Sequence, residues 1–330
     1  TLIFLISVFF SPIFAQKDTT LLGAVKGGQV NGYLRNYFMS TTNFGELQDW
    51  YAYAIGGYLK YETGQFKNFS FSVGLYTSNN LDVFDISTLD ATTGKGSRYE
   101  TGLYDIDDLG KRSITFMGEA YIHYLNNRHE VKWGRFKLKS PLINPQDGRM
   151  YPTTEQGLWY KYAHSKDLSI ELGWITHIAP RSGNGFETVA NSLGLYPQGR
   201  SVLGGESDYR RNISTLGIGL ASVTYTGDKF GFEFRNYFVE NIFNTAFLQP
   251  YYRFGDGQAK HQLSAQYINQ FRVNNGGAED IHQSYFQDKT SNVVGLQYKV
   301  DFENHWTVSA NANHITGDGR FLFPREWGRE

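Results

Sequence analysis

Apolar residues recur at every second position through much of this chain, in stretches of about ten residues that never take a helical period. Asn68-Phe69-Ser70-Phe71-Ser72-Val73-Gly74-Leu75-Tyr76 shows the pattern most cleanly. Phe69, Phe71, Val73 and Leu75 point one way; Ser70, Ser72 and Gly74 point the other. A strand with this period has one oily face and one wet face. Such segments fall at 28–38, 50–61, 68–76, 113–124, 128–135, 156–163, 168–177, 214–226, 229–239, 246–254, 260–270, 291–300 and 305–314. Short polar turns such as Leu125-Asn126-Asn127 and His164-Ser165-Lys166-Asp167 alternate with mostly longer loops, notably 77–112, 136–155, 178–213 and 271–290. Turns at one rim and long loops at the other predict an all-β, antiparallel transmembrane β-barrel around a polar lumen. A soluble sandwich has no reason to keep that alternation.

Before the first strand lies a different segment. Leu2-Ile3-Phe4-Leu5-Ile6-Ser7-Val8-Phe9-Phe10 is apolar, and Ser11-Pro12-Ile13-Phe14-Ala15 follows. The run is too short to span a bilayer as a helix. It reads as the remnant of a secretory signal peptide, residues 1–15, cleaved after Ala15, with the barrel over 16–330. Export combined with amphipathic strands points to a bacterial outer membrane. The tally of about thirteen strands is odd, whereas single-chain bacterial barrels use even numbers. The barrel is therefore expected to lack its last strands here.

Composition narrows the chemistry. The 330 residues hold no cysteine, so disulfides and thiolate sites are excluded. Lys+Arg 31 against Asp+Glu 32 gives no overall pull toward nucleic acid. The 25 Phe and 23 Tyr suit the two interfacial girdles of a barrel.

A basic side chain on the lipid face costs about 2–4 kcal/mol at the midplane, so basic strand residues should face the lumen. By parity these are Arg35, Lys132, Lys161, Arg235 and Arg253, with Glu119 and Glu171 also inward. Such cations attract carboxylates, Arg through paired hydrogen bonds. Arg235 shares a strand face with Glu233, and the two can neutralise each other.

Residues 131–158 carry a Lys-aromatic-Gly strand end and a Pro-containing loop, then Asp147, Arg149, Pro152, Thr154 and Gly157. This stretch resembles the passage around the third external loop of the OprD family of outer-membrane porins. Phe323-Pro324-Arg325-Glu326-Trp327-Gly328-Arg329-Glu330 adds a second, shorter match. The resemblance implies a barrel of about eighteen strands, monomeric or a loose homotrimer. It also implies a third loop folded inward and wall cations that guide small carboxylate-bearing solutes such as amino acids and aromatic acids. Carried over, loop 136–155 is the constriction, with Asp147 and Arg149 in it. An internal Asp147–Arg149 ion pair that fixes the loop is an equal reading. Glu155 departs from the family, which often has an aromatic there, and adds an acid near the constriction.

Other chemistry is weak. No nucleophile elbow or zinc helix occurs. His123, His129, His164 and His177 follow no ligand spacing. Gly217-Ile218-Gly219 lies within a strand pattern with no following helix. Tyr104-Asp105-Ile106-Asp107-Asp108-Leu109-Gly110 is acidic but lacks a full Ca²⁺ loop pattern, and reads as a solvated external loop. The expected function is passive, moderately selective passage of small hydrophilic solutes, without cofactor, metal or catalysis. Expected partners are those solutes, outer-membrane lipid and lipopolysaccharide. The alternatives are an adhesion or receptor barrel acting through loops 77–112 and 178–213, and an enzyme built on a barrel.

Overall fold

A computed structural model describes residues 2–9, 19–196, 198–255, 257–303, 305–316 and 319–328, the side chains from residue 19 onward. The strands are β1 (Leu2–Phe9), β2 (Gln29–Thr41), β3 (Trp50–Glu62), β4 (Phe69–Asn80), β5 (Ser113–Leu125), β6 (His129–Phe136), β7 (Thr154–Ala163) and β8 (Leu168–Ala179). The two-residue β9 (Glu187–Thr188) follows, then β10 (Ile218–Thr226), β11 (Phe230–Val239), β12 (Phe243–Phe254), β13 (Ala259–Arg272), β14 (Thr290–Phe302) and β15 (Thr307–Thr316). Every one of the thirteen predicted strands is present, within a few residues of its predicted ends. Consecutive strands pair antiparallel in one sheet ordered β1 to β8, then β10 to β15, with β9 appended to β8. Among the described residues the sheet does not close; β1 and β15 are its edges. No helix among them is long and apolar enough to cross a membrane.

Leu2–Phe9, expected as a signal-peptide remnant, pairs with β2 from Leu2↔Ser40 to Phe9↔Tyr33. The expected cleavage point after Ala15 lies outside the described residues, as do Arg329 and Glu330. Sequence reading missed the short helix α1 (Leu21–Lys26), where the Thr20 hydroxyl accepts from the Gly23 amide at 3.0 Å. Ser and Thr favour that position because their oxygen satisfies an otherwise orphaned helix amide.

The alternation sorts side chains as expected. On β4, Phe69, Phe71 and Leu75 are about half exposed, while Ser70, Ser72 and Tyr76 are buried. Leu34 and Leu59 continue the outward apolar face on β2 and β3. Inward residues touch the loops. Arg35 and Tyr37 on β2 and Tyr237 on β11 all reach the β6–β7 loop, so the sheet curls around it. Two buried clusters fill the long-loop end. One joins Tyr37, Met39 and Ala54 to loop residues Ile86, Leu103, Met150 and Tyr151. The other joins Phe136, Ile175, Tyr237 and Phe243 to Ile143, Leu193, Phe286, Phe323 and Trp327.

A cation on the outward face should be costly, whereas on the open inner wall it should not. Leu75→Lys is expected to destabilise the folded protein in vesicles by about 2–4 kcal/mol, and Gln249→Lys by under about 0.5 kcal/mol. Urea-dependent folding into lipid vesicles measures both.

Candidate pore constriction

The β6–β7 loop, residues 137–153, crosses the interior and is fixed at both walls. At its start, Lys137 Nζ lies 3.2 Å from Glu119. The Leu138 amide donates to Glu155 Oε2 at 2.8 Å. Glu155 is fully buried, so it holds the root of the loop and does not line an opening. On the β11 side, the Tyr237 hydroxyl donates to Ser140 Oγ at 3.1 Å and accepts from the Leu142 amide at 3.3 Å. On the β2 side, Arg35 forms an ion pair with Asp147 at 2.7 Å and also donates to the Arg149 carbonyl. Tyr37 donates to the Gly148 carbonyl at 3.1 Å. Asp147 therefore pairs with wall residue Arg35, and an Asp147–Arg149 pair is not what fixes the loop.

Arg149 is different. Its Nη1 meets Met39 Sδ at 2.7 Å, and among the described residues no carboxylate stands at ion-pair distance from it. Glu100, the acid it senses electrostatically, is engaged by the Thr41 and Ser97 hydroxyls at 2.6 and 2.5 Å. Burial, and after it the like charge of Arg181, push the Arg149 guanidinium below its usual range. Arg181 donates to the Gln146 carbonyl at 3.2 Å. Two guanidinium groups thus converge beside the crossing loop. Sequence parity could not find Arg181, because it lies in a loop.

The wall cations are largely compensated. Arg235 sits between Glu171 at 3.1 Å and Glu233 at 2.7 Å. Lys161 approaches Glu171 at 3.5 Å. Lys132 pairs with Glu130 at 3.2 Å and lies over the Trp159 ring. Lys60 lies 2.9 Å from Glu62 and 3.5 Å from the buried Glu119, which also accepts from Tyr58 and Tyr76. Arg253 donates to Gln262 at 2.9 Å and stacks on Tyr251. In the acidic run, Asp107 pairs with Arg210 and Arg211. Among the described residues no group of three or more His, Asp or Glu side chains is placed to hold a metal.

A further element, missed by sequence reading apart from its family match, is the segment 319–328 after β15. It turns inward and pins the crossing loop. Gln270 and Leu322 exchange two hydrogen bonds, at 2.6 and 3.0 Å. The fully buried Trp327 donates from Nε1 to Ser192 Oγ at 2.9 Å, and its carbonyl accepts from the Asn144 amide at 3.1 Å. Glu326 is buried and accepts from the Gly194 and Tyr196 amides at 3.1 and 3.2 Å. Gly328 has φ +89° and stands so close to the Asn144 carbonyl that no side chain fits.

No family model and no curated protein matches this chain. Solved structures do. OccK8 (OprE) of Pseudomonas aeruginosa is 14% identical, with 93% of this chain and 73% of that one covered and a TM-score of 0.65. OccAB4 of Acinetobacter baumannii is 14% identical, covering 90% and 70%, at 0.65. OpdK of Pseudomonas aeruginosa, solved with vanillate, is 13% identical, covering 90% and 69%, at 0.62. The fold is that of the OprD/Occ porins. Loop 137–153 is hydrogen-bonded to both β2 and β11, and Asp147 and Arg149 lie on it.

Burial raises the Glu326 carboxyl above its ordinary value, against the opposing pull of the two amides and Arg325; Tyr209 faces it as well. A raised folded value means ionisation disfavours the docked segment. Docking is therefore favoured in acid and weakens as pH rises from the ordinary carboxylate range through the raised value. Trypsin cleavage after Arg325 in the native protein, divided by that in Glu326→Gln at each pH, is expected to rise over this window. Tyr237→Phe removes both hydroxyl bonds and leaves the Leu142 amide without a partner. It is expected to cost about 1–3 kcal/mol in denaturant unfolding.

Proposed function

We propose that this protein is an outer-membrane porin of a bacterium, through which small hydrophilic solutes diffuse passively with moderate selectivity. The observation that carries this reading is the crossing loop 137–153, clamped between Arg35 and Tyr237 inside a sheet of the OprD/Occ porin fold. A loop held by both walls narrows the interior without needing to move. That suits a passage where binding must be weak enough to permit exit.

The reading extends to solute charge. Most wall cations have an acid partner, so the wall as a whole offers little net attraction. The Arg149 guanidinium is the candidate contact for a carboxylate, because it has a fork of donors that no acid among the described residues occupies. Amino acids and aromatic acids are the matching solute class, and OpdK, of the same fold, was solved with vanillate. Channels of this fold supply a reason for transport and none for catalysis. An adhesion role for the long loops has less support, because Leu103, Tyr151, Leu193 and Trp327 tie them into the interior.

Single-channel recording in a planar bilayer tests the proposal. Stable conductance is expected, with brief interruptions on adding glutamate or benzoate. Arg149→Gln should weaken those interruptions about tenfold, the equivalent of one charge-assisted hydrogen bond. A folded protein that does not conduct sinks the porin reading; conductance indifferent to carboxylates sinks only the finer one.

A further inference from the structure

The inner wall over β12–β15 carries a site of another character. Strand register lines its inward residues into rows across the sheet. Nearest the long loops is an apolar row, Phe247–Ile268–Val293–Ile315. Toward the short turns, a row with charges follows, Arg253–Gln262–Lys299–Ser309. Between them lie two rows without a charge. One runs Gln266–Gly295–Asn313, with Gln249 completing it on β12; the other runs Tyr251–Ser264–Gln297–Asn311.

Seven residues of these two rows, with Ala265, Leu296 and Ala312, line an open cavity of about 320 Å³ whose lining contains no Asp, Glu, Lys or Arg. Its volume is at the small end of ordinary ligand pockets. Gly295 keeps the floor open where a side chain would stand. Gln297 donates to Asn311 Oδ1 at 2.7 Å, which fixes one pair of amides. The amides of Gln249, Gln266 and Asn313 make no hydrogen bond to any described residue. Each carries two donors and an acceptor with two lone pairs. The opposite half of the wall, β2 to β8, instead holds charges locked in pairs, such as Lys60–Glu119 and Lys161–Glu171.

We propose that this amide shelf is a subsite for neutral polyhydroxylated solutes of mono- to disaccharide size. A sugar hydroxyl both donates and accepts, and a side-chain amide complements both functions at once. A carboxylate gains less there, since each amide also presents an oxygen to it. Several neutral hydrogen bonds of modest net strength give the weak, multi-point contact that passage requires. The shelf deepens the porin reading and rests on it for its role in transport, although binding itself does not depend on conduction.

The test uses the protein purified from its membrane and sucrose as probe. Isothermal titration reads binding in detergent; single-channel current fluctuations in a planar bilayer read it during conduction. Sucrose should produce both signals, and Gln266→Leu combined with Gln297→Leu should weaken them about tenfold. Heat-modifiable gel mobility reports whether that variant folds; if it does not, Asn313→Leu, at the edge of the cavity, replaces it. Conductance with no sucrose binding by either method overturns the shelf and spares the porin. Sucrose binding that the variants leave unchanged overturns it too. Sucrose binding that the variants weaken, in a protein that never conducts, keeps the shelf and overturns the porin.

Discussion

A hydrocarbon layer offers backbone amides and carbonyls no hydrogen-bond partner, and each group left bare there costs several kcal/mol. Long antiparallel strands meet that constraint by pairing every group with a neighbouring strand. The rest of this structure depends on it. Once the backbone is committed to a ladder, side chains must alternate between lipid and interior. Leu34, Leu59, Phe71 and Leu75 take one side; Arg35, Lys60, Ser72 and Tyr76 take the other. Which residues are available to touch a solute is then settled by parity.

Parity also explains how much of the molecule can be read from its sequence. The strands are legible because alternation has a short period and repeats. The inward direction of Arg35 and Arg235 is legible because burying a charge in lipid is so unfavourable. Partnerships are not. Arg35 finds Asp147 112 positions away, and Glu326 finds the Tyr196 amide 130 positions away. Nothing local marks such pairs, since they depend on how far the sheet curls. Glu155 shows the limit most plainly. It reads as an extra acid near a constriction, yet it is enclosed at the foot of the loop, accepting from Leu138. Arg181 lacks even a parity signal, because it lies in a loop, and the inward parity of Gln270 does not reveal its bonds to Leu322.

The interior divides into regions of different electrical character. Around β2 to β8, acids are threaded among the cations: Glu119 serves Lys60 and Lys137, and Glu171 serves Lys161 and Arg235. Each of these acids serves two cations, so losing one cation leaves the acid paired, whereas losing the acid takes a partner from both. These networks hold the wall and the loop root together, so they are poor places for a solute to compete. Around β12 to β15 two inward rows are instead occupied mainly by amides and hydroxyls, whose bonds are individually weak and easily exchanged with water.

That division gives the loops a reason to lie where they do. The crossing loop and the segment 319–328 meet where Tyr237 on β11, Phe243 on β12 and Trp327 provide a firm apolar seat. Apolar filling there excludes water from groups already satisfied by the protein. The amide rows lie below Phe247, Ile268 and Val293, the last inward apolar row, which packs against Phe321. Under the proposed function, a solute leaving Arg149 would next meet neutral amides and hydroxyls. Selection by two unlike contacts in series demands little affinity from either, which is how a passage can discriminate among solutes without retaining them.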